Sequence, residues 1–205
     1  MIAALLFEQP RPGPVEVLRA LLVSLLYGAP SEAPWVSTLA TLAQRLVGRE
    51  EALVSEHTRL FVMAIPEVAA PPFASYWLET DRRAGGRATR AVAEAMAEHG
   101  LRADHHSGLL PDHIVSELEF MAFLAKRGAE TLATQEWLLE QHLARWTPAF
   151  VEGLRAAVPA ERYLLAADLL EQLIDWDLEN LTGRKVVPRT ARALVSPSAG
   201  LPRQA

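Results

Sequence analysis

Apolar positions recur every three or four residues along most of the chain, and no stretch shows the two-residue alternation of a half-buried strand, so the pattern predicts an all-α fold. The first helix is expected over Val15 to Tyr27, with Pro14 at its start and Gly28 behind it. A second runs from about Pro34 to Val47. A third runs from Glu50 to about Val62 and sets Leu53, His57 and Leu60 on one stripe. Pro66, Pro71 and Pro72 then impose a loop, and another helix is expected near Phe73.

A small-residue helix follows from about Arg87 to His99 and ends at Gly100. Beyond the polar connector "LRADHHSGLL", Pro111 suits the first turn of the next helix and Gly128 closes it. A helix over Gln135 to Trp146 continues behind Pro148. The last helix, about Pro159 to Leu181, steps Tyr163, Ala167, Leu170, Ile174, Leu178 and Leu181 along one buried face. The expected architecture is a helical bundle in two halves: residues 1–100, a hinge at 101–111, residues 112–182, and a basic tail at 183–205 without apolar period.

Composition narrows the chemistry. The 205 residues are 50% hydrophobic and 22% charged, as in ordinary globular proteins. Cysteine is absent, which excludes disulfides, thiolate nucleophiles and zinc-thiolate sites. The N-terminus lacks a basic region before its short apolar run and meets Glu8, unlike a secretory signal. The run from Val17 to Ala29 contains Arg19 and is shorter than the roughly 18 residues of a membrane span. A soluble cytoplasmic protein is therefore expected, with no membrane insertion. From Thr182 onward there are five basic residues and no acid, so the net charge of −5 leaves −10 on the body. An acidic body argues against a nucleic-acid partner.

Four histidines fall between positions 99 and 113, and His113 with Glu117 has the i,i+4 spacing that can bring two metal ligands together. No histidine follows a glutamate by three residues, and His-Glu-x-x-His is missing, so an all-α metalloprotein or enzyme built on His113, Glu117 and the connector histidines His99, His105 and His106 is the second reading. No Gly-x-Ser-x-Gly elbow, Walker loop or dinucleotide fingerprint occurs. Asp175, Asp177 and Glu179 crowd the C-terminal turns of a helix, where the dipole disfavours anions; they either pair with Arg184 and Lys185 or serve an external cation. Phe73, Tyr76 and Trp77 follow a proline loop, where aromatic rings fill a core or line a groove equally well. Asp112 and His113, being adjacent, do not face each other as a catalytic dyad would; at a helix start they are expected to point outward and bind.

Four stretches together resemble the TorD/DmsD/NarJ family of redox-enzyme maturation chaperones. They are "LRALLVSLLYGAP" at 18–30, "EHTRLFV" at 56–62 with "PPFASYW" at 71–77, "PDHIVSELEFMAFL" at 111–124, and "WLLEQHLARWTPAF" at 137–150. The likeness runs over about residues 15 to 180. It departs at Leu109 and Leu110, where relatives often carry an acidic residue before the proline, and at His57, where a tyrosine is usual. The resemblance implies a TorD-like all-helical fold, no enzymatic activity and no cofactor. It implies a monomeric or homodimeric cytoplasmic chaperone for the precursor of a molybdopterin oxidoreductase and its twin-arginine signal peptide. It further implies that Asp112 and His113 take part in signal recognition and that Phe73, Tyr76 and Trp77 line the groove. Glu117, Asp175 and Glu179 complete the expected client-binding set.

Overall fold

The computed structural model describes Phe7 and residues 15–45, 50–63, 68–102 and 109–183. The expected helix end at Val47, Pro66 in the proline loop, His105 and His106, the side chain of Leu53 and the tail with Arg184 and Lys185 lie outside the described residues.

The fold is all-α. Helices α1 (Val15–Leu26), α2 (Trp35–Arg45) and α3 (Glu50–His57) come first, the last running on into a π-helical turn at Thr58–Val62. Next are the short α4 (Ala74–Leu78) and α5 (Arg87–Glu98), then α6 (Ile114–Arg127) with a 3₁₀ turn at Gly128–Thr131. Helix α7 (Leu132–Glu136) passes through a π-helical stretch, Trp137–Leu143, directly into α8 (Ala144–Ala156), and α9 (Glu161–Thr182) closes the described chain. Among the described residues the only β-type pairing is an isolated antiparallel bridge between Phe73 and His113.

The helix ends follow local chemistry. Gly128 and Gly183 sit at φ 67° and 66°, a backbone region that suits a residue without Cβ. Behind α6, the Thr131 hydroxyl donates to the Leu124 carbonyl at 2.7 Å and Gln135 Nε2 donates to the Gly128 carbonyl at 3.2 Å, which satisfies acceptors that a helix end leaves over. Pro148 lies inside α8 without interrupting it. A proline there removes one ladder hydrogen bond and crowds the carbonyl a turn back, and the wider π-helical stretch lies immediately upstream.

The periodic stripes become the core. Tyr163, Ala167, Leu170 and Ile174 are buried on α9, with Leu178 and Leu181 half-buried against them. Leu139, Leu143, Trp146 and Phe150 are buried as their spacing requires, and each large apolar side chain taken from water stabilises by roughly 1.5–3 kcal/mol. Phe150 meets Phe7 edge-on at 5.6 Å, and Phe61 meets Tyr163 at 5.3 Å. Helix α9 packs along α2 and α8, and α4 packs on α8. One continuous cluster of buried residues therefore draws on both halves of the sequence.

Candidate functional site

The chain around Asp112 is a staple. The Ala74 amide donates to the Asp112 carbonyl and the Ile114 amide to the Pro72 carbonyl, both at 2.9 Å, so residues 72–74 and 112–114 lock side by side. Asp112 is fully buried. Its Oδ2 accepts from the Ser75 amide at 2.9 Å and from the Ser75 hydroxyl at 2.6 Å, while the same hydroxyl accepts from the Gly85 amide at 3.2 Å. Oδ1 is buried without a hydrogen-bond partner among the described residues. The outward carboxylate expected from the sequence is thus turned inward. Helix α6 begins at Ile114 because Pro111 and Asp112 form a turn, closed by the His113 amide on the Leu110 carbonyl at 3.0 Å.

His113 is 6% exposed and caps α6, its Nδ1 accepting from the Val115 amide at 3.1 Å. That bond requires an unprotonated Nδ1, and burial drives the imidazole pKa down to about 4, partly offset by the nearby Asp112 charge. Phe73 meets this ring edge-on at 5.1 Å. His113 therefore does not point outward either.

Glu117, one turn further along α6, is fully buried. Its Oε1 meets His142 Nε2 at 2.7 Å, and its Oε2 accepts from Trp146 Nε1 at 3.0 Å. Burial pushes the carboxyl up to about 7 against these two hydrogen bonds. Among the described residues no three histidine, aspartate or glutamate side chains converge as a metal site.

Trp77 and Tyr76 divide the two roles left open by the sequence. The Trp77 indole donates to the Pro71 carbonyl at 2.8 Å and its ring lies against Phe150. It also lies against Gly153, where an added Cβ would come within 2.8 Å of the ring. Tyr76 stands edge-on to Trp77 at 5.1 Å, and both rings are half-buried. The Arg82 guanidinium lies over this pair, 4.5 Å from the Tyr76 centroid and 5.4 Å from that of Trp77.

Asp175 and Glu179 are half-buried on α9, away from that aromatic pair in the chain. Between them stands Asp177, grouped from the sequence with Asp175 and Glu179 as a partner either of Arg184 and Lys185 or of an external cation. It lines an apolar cleft of about 520 Å³ bounded by α1, α2, α6, α9 and the π-helical stretch. Its signal was the α9 stripe: Asp177 falls three residues after Ile174 and four before Leu181, on the face that turns inward.

Comparison with known proteins agrees with this fold. Residues 29–152 match the family model described as nitrate reductase delta subunit. The Tat proofreading chaperone DmsD of Salmonella typhi is 32% identical over 105 residues, covering 50% of this chain. The chain spans about half the length of that relative, 49%. The chaperone protein TorD of Salmonella bongori is 26% identical over 184 residues, 81% of this chain and 83% of its own. A crystal structure described as a redox enzyme maturation protein from Archaeoglobus fulgidus superposes with a TM-score of 0.57 at 23% identity, covering 84% of this chain and 90% of that one, and so shares the fold. With more than half of its length inside the family model, the chain belongs to the nitrate reductase delta subunit family, the TorD/NarJ group to which its motifs pointed.

Proposed function

We propose that this protein is a cytoplasmic maturation chaperone, not an enzyme, that binds the twin-arginine leader of a molybdopterin oxidoreductase precursor. It holds the apo-enzyme until cofactor insertion is complete. The names of its relatives support the class of activity. The absence, among the described residues, of any helix long and apolar enough to cross a membrane is compatible with it.

One observation carries the reading: the half-buried Tyr76–Trp77 pair already stacks a guanidinium, that of Arg82. Aromatic faces attract cations through the ring quadrupole by about 0.5–2 kcal/mol, more as water is excluded. Arg82 itself is exposed and sits at φ 50°, a left-handed backbone region uncommon for a residue with a Cβ. A leader arginine would take its place. Phe73, Tyr76 and Trp77 form the contact surface in this scheme. Asp112, His113 and Glu117 act from beneath by holding α4 and α6 in place, and Asp175 and Glu179 contribute negative potential. The halves before and after residues 101–111 would flex about that connector when a client is taken up.

Binding is expected near micromolar, about −8 kcal/mol. Calorimetric titration of a twin-arginine leader peptide tests the proposal, with Tyr76→Ala as the variant because Trp77 is also a packing anchor. A five- to tenfold loss in the variant is expected, on the order of the cation–π energy. Absence of binding to wild type by leaders of molybdopterin oxidoreductases, or equal binding by the variant, overturns it.

A further inference from the structure

The cleft that contains Asp177 shares no lining residue with the Phe73–Tyr76–Trp77 face, and its lining poses a physical problem. Leu25 of α1, Trp35 of α2, Met121 of α6, Leu139 and Leu173 supply apolar walls, and Asp177 is the one charged residue among the described residues that line it. The carboxylate has no hydrogen bond or ion pair with any described residue. Burial alone pushes its pKa up to about 6. It stands in the last turns of a 22-residue helix, where the C-terminal end of the backbone dipole adds further negative potential. An unpaired acid against an apolar wall is costly to keep ionised at neutral pH. A cation brought by a ligand removes that cost.

We propose that this cleft seats an apolar stretch of a client polypeptide, with a basic side chain of the same stretch set against Asp177. The identity of the occupant as the apolar part of a leader rests on the function proposed above; the cleft's preference for apolar surface plus one cation does not. The volume of about 520 Å³ falls in the roughly 300–1,000 Å³ range of ligand pockets and is lined as such pockets are, by apolar side chains around a few polar groups, here Ser24, the Trp35 indole N–H and the charged Asp177. Charge complementarity selects the basic residue, because the described residues that line the cleft include no lysine or arginine and the body of the chain carries net negative charge. Chain from both halves forms the walls, so an occupied cleft ties α1 and α2 to α6 and α9.

Two probes separate this proposal from the function on which it draws. The first is a blocked octapeptide of leucine and alanine with one central arginine, and its counterpart with citrulline, which keeps the shape and removes the charge. The second is the full twin-arginine leader. Calorimetry is run with wild type, Asp177→Asn, Ala125→Phe and Tyr76→Ala; Ala125 is exposed at the cleft's edge, so a ring there fills the space without disturbing the core. The arginine octapeptide is expected to bind wild type about tenfold more tightly than either the citrulline form or Asp177→Asn, as charge-assisted contacts out of water do. Ala125→Phe is expected to abolish binding in the cleft, and Tyr76→Ala is read with the full leader alone.

Equal affinity of the arginine and citrulline octapeptides, or binding unaffected by Asp177→Asn and Ala125→Phe, overturns the cleft proposal. A leader that still binds, sensitive to Tyr76→Ala alone, then leaves the chaperone reading standing without it. An octapeptide that binds as expected beside leaders that do not bind supports the cleft and overturns the chaperone reading. A chain that dimerises until Ala125→Phe is introduced assigns the cleft to a second copy and overturns the proposal.

Discussion

Glu117, in the first turn of α6, and Asp177, in the last turns of α9, are both carboxylates set among apolar side chains, and their surroundings treat them differently. Each interrupts an inward-facing apolar stripe, Ile114–Met121–Leu124 on α6 for the first and Ile174–Leu181 on α9 for the second. Burial raises both carboxyl pKa values, to about 7 and about 6. Around Glu117 the protein has supplied hydrogen-bond partners for both oxygens, His142 and Trp146. Around Asp177 the described residues supply none. A buried acid with both oxygens engaged is part of the scaffold, whereas one left beside an open apolar surface is available to a partner.

The comparison is most sharply broken at Glu117. Glu117→Ala leaves the Trp146 indole N–H without its acceptor and His142 without its partner, both buried, and is expected to cost about 3–5 kcal/mol, read from denaturant unfolding. A loss below about 1 kcal/mol would mean that the network is not structural. Asp112→Ala removes the acceptor for the Ser75 amide and hydroxyl and should cost about 1.5–3 kcal/mol in the same measurement. Asp112 and His113 are consequently poor choices for testing client recognition, since a binding defect in their variants would report a loosened joint.

Asp177→Asn should act in the opposite direction. A carboxyl whose folded pKa is raised contributes stability that is full below its unfolded value, near 3.8, and lost as pH rises through about 6. The asparagine variant lacks that loss. It should be more stable than wild type by roughly 1–2 kcal/mol at pH 7.5, after discounting for partial exposure, with the gain fading towards pH 4. A wild-type advantage at pH 7.5 would show that Asp177 is paired in solution. The smallest effect is expected from Ala125→Phe, within about 0.5 kcal/mol of wild type, the ordinary helix-propensity difference at an exposed site.

The helices were legible in the sequence because each buried stripe is long and tertiary packing reinforces its period, as in Tyr163–Ala167–Leu170–Ile174. Glu117, expected to bind a client or a metal, is buried instead, as its place between Ile114 and Met121 on the stripe requires. Its partners were not legible, since His142 and Trp146 lie 25 and 29 residues onward and are brought round by a π-helical stretch that shifts the 3.6-residue phase. Asp112 was misjudged for a similar reason. Its charge at a helix start suggests an exposed position, but its partner is Ser75, 37 residues earlier, and the pairing that buries both depends on two loops meeting. Asp177 could be named from the sequence only together with Asp175 and Glu179, because counting charge does not distinguish a face turned to a cleft from one turned elsewhere.

The contact of Trp77 with Gly153 leads to a rule for reading related chains. The indole occupies the space that any side chain at position 153 would need, so the two positions share one fixed volume. Where evolution has placed an alanine or serine at the second, the first should have contracted to a smaller residue, and where the glycine persists the indole has reason to persist with it. Trp77→Leu should accordingly make Gly153→Ala tolerable, a compensation across 76 positions of sequence that links the aromatic face to the middle of α8.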